Sequence, residues 1–427
     1  MSERTILVWF RNDLRVQDNE ILLEATRKAD RILPVFVFDP HYFAVTADGG
    51  QKTGTQRVQF LIESVADLRL NLQKLGGNLL IAHGTPAEVI PQLAAQYEVN
   101  EVYHHREVAF EETNISEEVE AALWKMKLNL KHFIGHTLYH KEDLPFPIKD
   151  IPDSFNTFKK KVERDSDVRP CLVTPEQIIT PAITDAGELP TLAQLGLPQP
   201  VADSRAVYSF KGGETAAWQQ LEQFFANYAI THSGKNSRNS ASSKQSPWLA
   251  VGCVSPRQVY WEVVKHKHEL NNHPMMLELL WRDYFRFMFK KHSRRFFNPE
   301  GFKGSAPELA ANQDELFTQW KTGATGVPFI DASMHELAAT GFIANANRQA
   351  VAIYLVKDLK VDWTRGAQWF EEKLVDYSPA SNWGNWSYIA GVGNDPRENR
   401  YFSPKSPAEL DPKGEYVKLW LAEEKVA

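Results

Sequence analysis

The sequence has little cysteine and no long apolar run, and each absence excludes a class of protein. Its two cysteines, Cys171 and Cys253, lie far apart, so we expect no disulfide framework. No segment approaches the roughly 20 apolar residues of a membrane-spanning helix, and the N-terminus lacks the basic-then-apolar pattern of a signal peptide. These absences predict a cytoplasmic protein with no membrane partner, which we expect to be a monomer.

Positive charge is not in excess either. The net charge of −6 argues against a protein that covers nucleic acid along its whole surface. It leaves room for a local basic groove, because electrostatic steering depends on where the charges lie. A chain of 427 residues also exceeds the usual size of one hydrophobic core, so we expect two domains or one large composite body.

The first third of the chain alternates between two kinds of apolar pattern. Short β-branched runs are separated by longer segments with helical periodicity, such as 54–75 and 86–97. This alternation predicts an α/β fold, a doubly wound parallel sheet whose ligands bind at the carboxyl ends of its strands. Polar clusters at 11–15 and 104–107 follow two of these strands. The strands are expected at 5–10, 32–38, 78–81, 101–105 and 130–134.

Prolines punctuate the next stretch of the chain, and helical periodicity dominates the rest. We expect residues 135–205 to form a long connector that runs over both domains and holds one helix at 155–163. No strand alternation appears after Gly212, which predicts an all-α region. The predicted organisation is an α/β domain at 1–134, the connector at 135–205 and a helical domain at 206–427.

A run near the C-terminus combines large aromatic residues with amides and glycines. Trp383, Trp386 and Tyr388 lie next to Asn382 and Asn385 in this run. A hydrophobic core does not need such a mixture, whereas a site for a flat ring with polar edges does.

A stretch rich in serine and asparagine, residues 232–246, precedes a predicted helix. Ser242, Ser243 and Ser246 offer hydroxyls, and Lys244 adds positive charge. Free backbone N–H groups at the start of a helix would complete a pyrophosphate site. The alternative is a flexible surface loop, and composition alone favours it.

The segment LELLWRDYFRF places Glu278, Trp281 and Arg282 on one face of a helix. A carboxylate beside an indole suits hydrogen bonding to, and stacking on, a nucleobase. The alternative, favoured by the isolated pattern, is a helix that buries Trp281 and pairs Glu278 with Arg282. Asn345 and Arg348 can likewise present an amide and a guanidinium to one ligand, or form a helix cap and a surface ion pair.

Neither a metal site nor a nucleophile–histidine–acid arrangement is expected. His266 and His268 lie two residues apart, which places them on different faces of a helix, and no other cluster has metal-ligand spacing. Asp331 is expected to cap a helix. The basic and aromatic run at 289–297 is either a phosphate-binding edge or a solvated helix end.

Taken together, these residues resemble the photolyase/cryptochrome family of blue-light flavoproteins, and they look most like its cryptochrome-DASH branch. The matching stretches occur in the same order nearly from end to end, and this order is far more specific than any one stretch. They include LVWFRNDLRVQDN, KTGTQR, GHTLYHKEDLPFP, SPWLAVGCVSPR, ELLWRDYFRF, TGVPFID, LVKDLKVDW, SNWGNW and AGVGNDPRENRYFSP.

The resemblance implies an α/β antenna domain and a helical domain that encloses FAD. It implies that Arg348 and Asp376 pair beside the flavin and that Asn382 faces the flavin N5 edge. It also implies that Trp386 and then Trp363 relay electrons. The other residues that it assigns are Ser242, Ser243, Lys244, Gln245, Ser246 and Arg282 at the cofactor, Glu278, Trp281, Asn345 and Tyr388 at the cavity for a flipped pyrimidine dimer, and Glu111 at a folate (methenyltetrahydrofolate) antenna.

The chain also departs from the family's pattern. Its phosphate loop is shorter than usual, and Ser378 stands where an acid is usual. His335, Ala324 and Ala346 stand where arginines are usual. The outermost tryptophan of the electron chain, expected at 303–311, is absent. Positive charge is therefore lost near the substrate opening, where it could have contacted DNA phosphates.

The resemblance leads to one main hypothesis and two alternatives. The main hypothesis is light-driven DNA repair by a deoxyribodipyrimidine photolyase, in which reduced FAD gives an electron to a cyclobutane pyrimidine dimer. Because the dimer must leave the base stack, single-stranded DNA should be the easier substrate. The first alternative is a blue-light photoreceptor without repair activity. The second is a helical binding protein that has lost FAD.

Overall fold

A five-stranded parallel sheet organises the first part of the chain. The structure, a computed structural model, describes residues 3–46, 49–206, 208–231, 242–266, 274–302, 304, 306–394 and 407–422. The strands are β1 Thr5–Phe10, β2 Arg31–Phe38, β3 Leu80–His83, β4 Glu101–His105 and β5 Asn129–Phe133. Their order, β3-β2-β1-β4-β5, reverses between β1 and β4. The carboxyl ends of these two strands therefore flank the crevice where such sheets bind ligands.

Helices cover both faces of the sheet, because the two faces of a parallel sheet are both apolar. One face packs with two of these helices into a core that includes Leu7, Val35 and Val102. The opposite face, with Ile6 and Phe36, belongs to a second core that continues into the helical part of the protein. The helices of this region are α1 Glu20–Lys28, α2 Thr55–Lys74, α3 Pro86–Gln96 and α4 Phe110–Lys125.

The proline-rich connector runs along both parts of the molecule. On the sheet side, Ile178 N donates to Leu75 O at 2.8 Å. On the helical side, the buried Asp283 carboxylate accepts from Leu138 N and Tyr139 N, each at 2.9 Å. The connector contains α5 Phe155–Asp165 and short 3₁₀ turns at Lys141–Asp143, Ile148–Asp150 and Ala193–Leu195.

The rest of the described chain is helical. A π-helical turn, Tyr354–Asp358, separates the helix that carries Arg348 from the helix that begins at Trp363. Such turns often occur near functional sites. The helices are α6 Glu214–Thr231, α7 Ser246–Ala250, α8 Pro256–Lys265, α9 Pro274–His292, α10 Gln313–Thr322, α11 Pro328–Thr340, α12 Asn345–Ile353, α13 Trp363–Lys373, α14 Pro379–Ala390, α15 Pro407–Leu410 and α16 Glu415–Leu421.

Buried charges join the sheet domain to the helical part. Arg15 donates to a backbone carbonyl 237 residues away, at 2.9 Å. Asp18 pairs with Arg257 at 2.7 Å, and Glu107 pairs with Arg286 at 2.9 Å. Since each pair has one member in each part, the junction is complete only when both parts are folded.

The start of the third strand and the role of Asp331 differ from their predictions. The third strand begins two residues later than expected, because Asn78 Oδ1 accepts from Leu79 N and extends the turn that precedes the strand. Asp331 is not a helix cap, because Pro328 already starts α11 and places Asp331 inside it. Its carboxylate instead accepts hydrogen bonds from the loop that leads into this helix, including one from Thr325 N at 2.8 Å.

Candidate functional site

A small pocket in the helical part contains many of the predicted site residues. Its volume is about 80 Å³, and its lining comes from α12, α13, α14 and the segment that links α13 to α14. We name it the inner pocket. The predicted residues that it brings together are Asn345, Arg348, Asp376, Asn382 and Trp386.

Arg348 and Asp376 form the charged centre of the inner pocket. Nη2 of Arg348 donates to Oδ2 of Asp376 at 2.8 Å, and its Nε donates to Ile343 O at 2.9 Å. The guanidinium is therefore fixed from two sides. Asp376 is buried, and its Oδ1 has no hydrogen-bond partner among the described residues. An unpaired buried carboxylate oxygen is costly, so we expect it to accept a hydrogen bond from a ligand.

Asn382 and Trp386 lie on the face of α14 that packs toward α13. Nδ2 of Asn382 donates to Ala367 O at 2.9 Å, which fixes the amide. The buried Trp386 ring contacts Phe370, with 5.1 Å between ring centroids. The absence of a side chain at Gly366 permits this approach, because a Cβ there would lie 2.4 Å from the indole. Tight helix packing thus holds both residues in place.

Trp363, the second predicted relay residue, is not part of the pocket lining. It is buried, and its Nε1 donates to Pro299 O at 3.0 Å. Its ring contacts Trp383 at 5.8 Å, while Trp386 contacts Trp320 at 6.2 Å. The structure places both predicted relay tryptophans in one hydrophobic core.

The N-terminal half of α9 carries two of the predicted substrate-facing residues, Glu278 and Trp281. Glu278 is exposed, although protein atoms packed around its carboxyl raise its pKa and the nearby Arg348 charge acts in the opposite direction. The Trp281 indole is partly buried and stacks on Phe155, with 3.6 Å between centroids and 8° between planes. The Tyr388 ring, from α14, meets Trp281 edge-on at 6.0 Å. A carboxylate and two aromatic rings therefore lie between α9 and the inner-pocket helices.

Arg282 is not brought to the inner pocket. Its Nη1 donates to His136 O, and its Nη2 donates to Leu249 O at 3.0 Å. It therefore joins α9 to the connector and to α7, and it does not form the alternative pair with Glu278. A direct contact between Arg282 and a cofactor remains a prediction.

The end of the serine-rich stretch, residues 242–246, approaches the start of α7. Lys244 has a left-handed backbone with φ of 54°, and its Nζ lies 2.8 Å from the centroid of the Tyr208 ring. Burial lowers the pKa of Lys244 to about 8. Gln245 donates to a backbone carbonyl of α6, while its Oε1 has no partner in the described chain. Residues 232–241 of this stretch lie outside the described residues.

A larger cavity lies between the sheet domain and the helical part. Its volume is about 770 Å³. The carboxyl ends of β1 and β2 and the start of α4 form one side, and residues of α13 and the segment 377–379 form another. It adjoins the reversal of strand order, the place where ligands of such sheets bind. We name it the inter-domain cavity.

Two adjacent glutamates occupy different parts of the inter-domain cavity. Glu111, the predicted antenna residue, is exposed and contacts Lys52 at 2.8 Å. Glu112 is buried, and burial together with the Glu107 charge raises its pKa to about 8. A carboxyl that keeps its proton at neutral pH can both donate and accept hydrogen bonds. Glu112 was not predicted from the sequence, because only the rotation of α4 about its axis determines which of the two glutamates is buried.

The two polar clusters predicted at strand ends meet beneath this cavity. Asn12 Nδ2 donates to Glu107 at 3.0 Å, and His105 contacts Asp13 at 2.6 Å. Arg286 enters from α9 to pair with Glu107. The sequence pointed to the two clusters because each lies at the end of a predicted strand. In the structure these strands, β1 and β4, are adjacent.

The described residues contain neither a metal-binding cluster nor a membrane-spanning helix. No group of three or more His, Cys, Asp or Glu side chains there has a geometry suited to a metal ion. Within the same residues, every helix is too short or too polar to cross a bilayer.

Two family models match this chain. The one described as DNA photolyase matches residues 6–177, which include the sheet and one side of the inter-domain cavity. The one described as the FAD binding domain of DNA photolyase matches residues 275–426, which include the inner pocket and most of α9.

Individual relatives match over nearly the whole chain. The Cryptochrome DASH of Gloeobacter violaceus is 46% identical, over 99% of this chain and 86% of its own length. The crystal structure of a cryptochrome from Synechocystis sp. PCC6803 has a TM-score of 0.91 at 42% identity, covering 99% of this chain and 89% of that one. An archaeal photolyase from Sulfolobus tokodaii, crystallised with two FAD molecules, has a TM-score of 0.80 at 27% identity, covering 99% and 91%.

Proposed function

Because this chain belongs to the photolyase/cryptochrome family, we propose that it is a light-driven repair enzyme that splits cyclobutane pyrimidine dimers in DNA. The observation that carries the proposal is the position of Glu278 and Trp281 on α9, beside the helices that form the inner pocket. This arrangement puts groups that can bind a nucleobase next to a site suited to a flavin.

The chemistry of the inner pocket fits FAD. Oδ1 of Asp376 has no partner in the described part of the chain and can accept from a ring N–H, and the fixed Arg348 guanidinium adds positive charge beside it. Lys244 and the neighbouring hydroxyls can serve the pyrophosphate. When bound, FAD supplies the light-excited electron that splits the dimer.

The protein's own contribution to repair is to hold the extruded dimer. Trp281 offers an aromatic surface for base stacking, and Phe155 behind it keeps the indole from turning. Glu278 and Asn345 provide a carboxyl and an amide for the polar edges of the bases. The net charge of −6 opposes binding to the dense phosphate charge of a duplex more than to a single strand, which supports a preference for single-stranded DNA.

The repair proposal is tested with reduced, flavin-loaded protein and oligonucleotides that contain one dimer. We expect light-dependent loss of the dimer, faster in a single strand than in the duplex, and none in the dark. Glu278→Gln should slow the loss about tenfold or more while its flavin absorbance stays the same, as expected for a group that acts on the substrate. If neither strand form is repaired, the proposal is wrong. A protein that binds and photoreduces FAD without repair would be the photoreceptor alternative.

We also propose that Trp386 and Trp363 supply electrons that bring the flavin to its reduced state. Both are buried, Trp386 lines the inner pocket, and the Trp386 indole packs against Gly366, one turn along α13 from Trp363. Trp386→Phe should therefore suppress photoreduction several-fold while FAD remains bound. Unchanged photoreduction in this variant would reject the assignment.

We further propose that the inter-domain cavity binds a folate antenna. Its volume of about 770 Å³ suits a cofactor-sized ligand. The neutral Glu112 carboxyl can bind a ring with both donors and acceptors, and Lys52 and Arg294 offer positive charge to an acidic tail. Glu111, at the exposed edge, is the other candidate ligand. Absorbance of the purified protein tests for the antenna.

Size-exclusion chromatography tests the expected monomer, and cell fractionation tests the expected cytoplasmic location.

A further inference from the structure

Tyr377 lies in the wall that separates the inner pocket from the inter-domain cavity. Together with Ser378 it lines both spaces. Arg57 covers its ring, with 4.6 Å between the guanidinium carbon and the ring centroid. Burial, followed by the charge of Glu371, raises the pKa of Tyr377 well above its ordinary value. The phenol therefore keeps its proton at neutral pH.

Tyr377 is hydrogen-bonded to a member of the buried aromatic core. Nε1 of Trp383 donates to the Tyr377 hydroxyl at 3.2 Å. The Trp383 ring in turn contacts Trp363, with 5.8 Å between centroids. Neighbouring aromatic rings at such separations exchange electrons readily. The contacts thus continue from Trp363 through Trp383 to Tyr377.

A line of charged side chains leads from Tyr377 toward solvent. The Glu371 carboxylate lies close enough to the phenol to act on its pKa by charge and by a hydrogen bond. Glu371 pairs with Lys52 at 3.1 Å, and Lys52 pairs with Glu111 at 2.8 Å. Glu111 contacts His41 at 3.4 Å, and nearly half of each of these two side chains is exposed. A proton released by Tyr377 therefore has an adjacent acceptor and a polar route to the surface.

We propose that Tyr377 is the terminal electron donor of this protein, reached through Trp383, and that the Glu371 carboxylate accepts its proton. The inference rests on the proposed function, because the oxidant would be a bound, light-excited oxidised flavin. Trp386 would give it one electron, Trp363 would replace the electron lost by Trp386, and Trp383 would replace the electron lost by Trp363. In the last step, one electron moves from Tyr377 to the Trp383 radical cation. The phenolic O–H bond breaks, and its proton moves to Glu371. The products are neutral Trp383, a neutral tyrosyl radical and a protonated carboxyl, so charge and atoms balance.

This route compensates for the tryptophan that the sequence lacks at 303–311. At neutral pH a neutral tyrosyl radical forms at a lower potential than an indole radical cation, provided that a base takes the proton. Oxidation therefore moves from Trp383 to Tyr377. Return of the electron requires the proton to return from Glu371 as well, so the separated charges should last longer than they would on tryptophan alone.

The test uses flavin-loaded, oxidised full-length protein, with the radical identified by electron paramagnetic resonance after a light flash. The wild type should give a neutral tyrosyl radical, and its formation should slow in D₂O because a proton moves. Tyr377→Phe should give a tryptophanyl radical that decays several-fold faster. Glu371→Gln keeps the aromatic ring and should lower the tyrosyl yield several-fold.

Tyr416→Phe is the matched control. Tyr416 also donates to a carboxylate, that of Glu336, at 2.6 Å, but it packs on Phe329 rather than on the tryptophans around Trp383. This variant should give the wild-type tyrosyl signal. Loss of the tyrosyl signal in Tyr416→Phe would assign the radical to Tyr416 instead of Tyr377 and overturn the inference.

Different results would overturn the tyrosine route and the repair activity. A wild type that binds FAD and splits dimers after chemical reduction, but forms only a tryptophanyl radical, overturns the tyrosine route alone. A tyrosyl signal that persists in Tyr377→Phe does the same. If Tyr377→Phe does not bind flavin, two other results test the route. These are the slower radical formation of the wild type in D₂O and the lower tyrosyl yield of Glu371→Gln. Absence of both effects rejects the route. A wild type that binds no flavin overturns both proposals.

Discussion

The inner pocket and the inter-domain cavity differ in size, in lining and in the origin of their residues. The inner pocket, of about 80 Å³, takes its lining from residues between 345 and 389 and is centred on one fixed ion pair. The inter-domain cavity, of about 770 Å³, is lined by both parts of the molecule and contains a carboxyl that keeps its proton. The pocket presents one fixed ion pair to its ligand, whereas the cavity has the volume for a cofactor-sized molecule.

The largest effect is expected when the ion pair of the inner pocket is broken, because this tests whether the pair binds FAD. Asp376→Ala removes the free acceptor and leaves Arg348 unpaired, so FAD affinity should fall by about 2–5 kcal/mol, roughly thirtyfold or more. Visible absorbance after dialysis measures the retained flavin. Asp165→Ala is the control, because Asp165 also pairs with an arginine, at 2.6 Å, but on the surface of α5. Full FAD retention in Asp376→Ala would place the flavin elsewhere.

A second variant tests the substrate side of the inner pocket. Trp281→Ala removes the stacking surface, so binding of a dimer-containing single strand should weaken by about 1–3 kcal/mol while FAD stays bound. Fluorescence anisotropy of a labelled oligonucleotide measures the change. Trp124→Ala, at an indole that is 73% exposed on α4, should have no effect. Equal weakening in both variants would point to a general effect of losing tryptophan.

A smaller effect is expected from the ring behind Trp281. Phe155→Leu removes a stacked aromatic partner, whose contribution is about 0.5–1.5 kcal/mol. The KM for dimer repair should rise by a few-fold with little change in kcat, and Phe155→Tyr should restore it. A fall in kcat with unchanged KM would mean that Phe155 does not act by positioning the indole.

The smallest effect concerns the protonated carboxyl of the inter-domain cavity. The pKa of Glu112 is raised from 4.5 to about 8, so between these pH values the unfolded chain loses a proton that the folded protein keeps. The free energy of unfolding of the wild type should therefore fall, relative to Glu112→Gln, as the pH rises from 4.5 to about 8. Denaturant unfolding across this range measures the difference. Glu111→Gln should not show the same trend, and a flat difference for Glu112→Gln would mean that Glu112 is ionised.

Some of this architecture followed from local sequence patterns. β-branched runs placed β1 and β4 at the observed residues, because buried parallel strands need continuous apolar side chains. Helix α14 was not predicted, since its glycines, asparagines and tryptophans obscure the helical period. Its stability comes from tertiary packing, including Gly384, where a Cβ would lie 2.3 Å from Phe285. Periodicity along one segment cannot reveal such contacts.

Some site residues could also be predicted from the sequence, whereas others could not. Arg348 and Asp376 could be paired from the family resemblance, and the structure joins them at 2.8 Å. Glu112 and Tyr377 could not be singled out. Which of two adjacent glutamates enters a cavity depends on helix phase, and the role of Tyr377 depends on side chains from distant segments, such as Arg57. Single residues at the junction of two domains acquire their chemistry only from the assembled fold.

The buried charges at the junction also bear on how the protein is made. Arg15, Asp18 and Glu107 emerge from the ribosome early, yet the Arg257 and Arg286 side chains that pair with two of them follow about 180 to 240 residues later. At about 5–20 residues per second, these charges would wait roughly ten seconds or more without partners. Only the core that continues into the helical part must wait to complete its packing during that interval. Synthesis of the helical part through Arg286, rather than synthesis of the first domain, is then the event that allows these charges to pair.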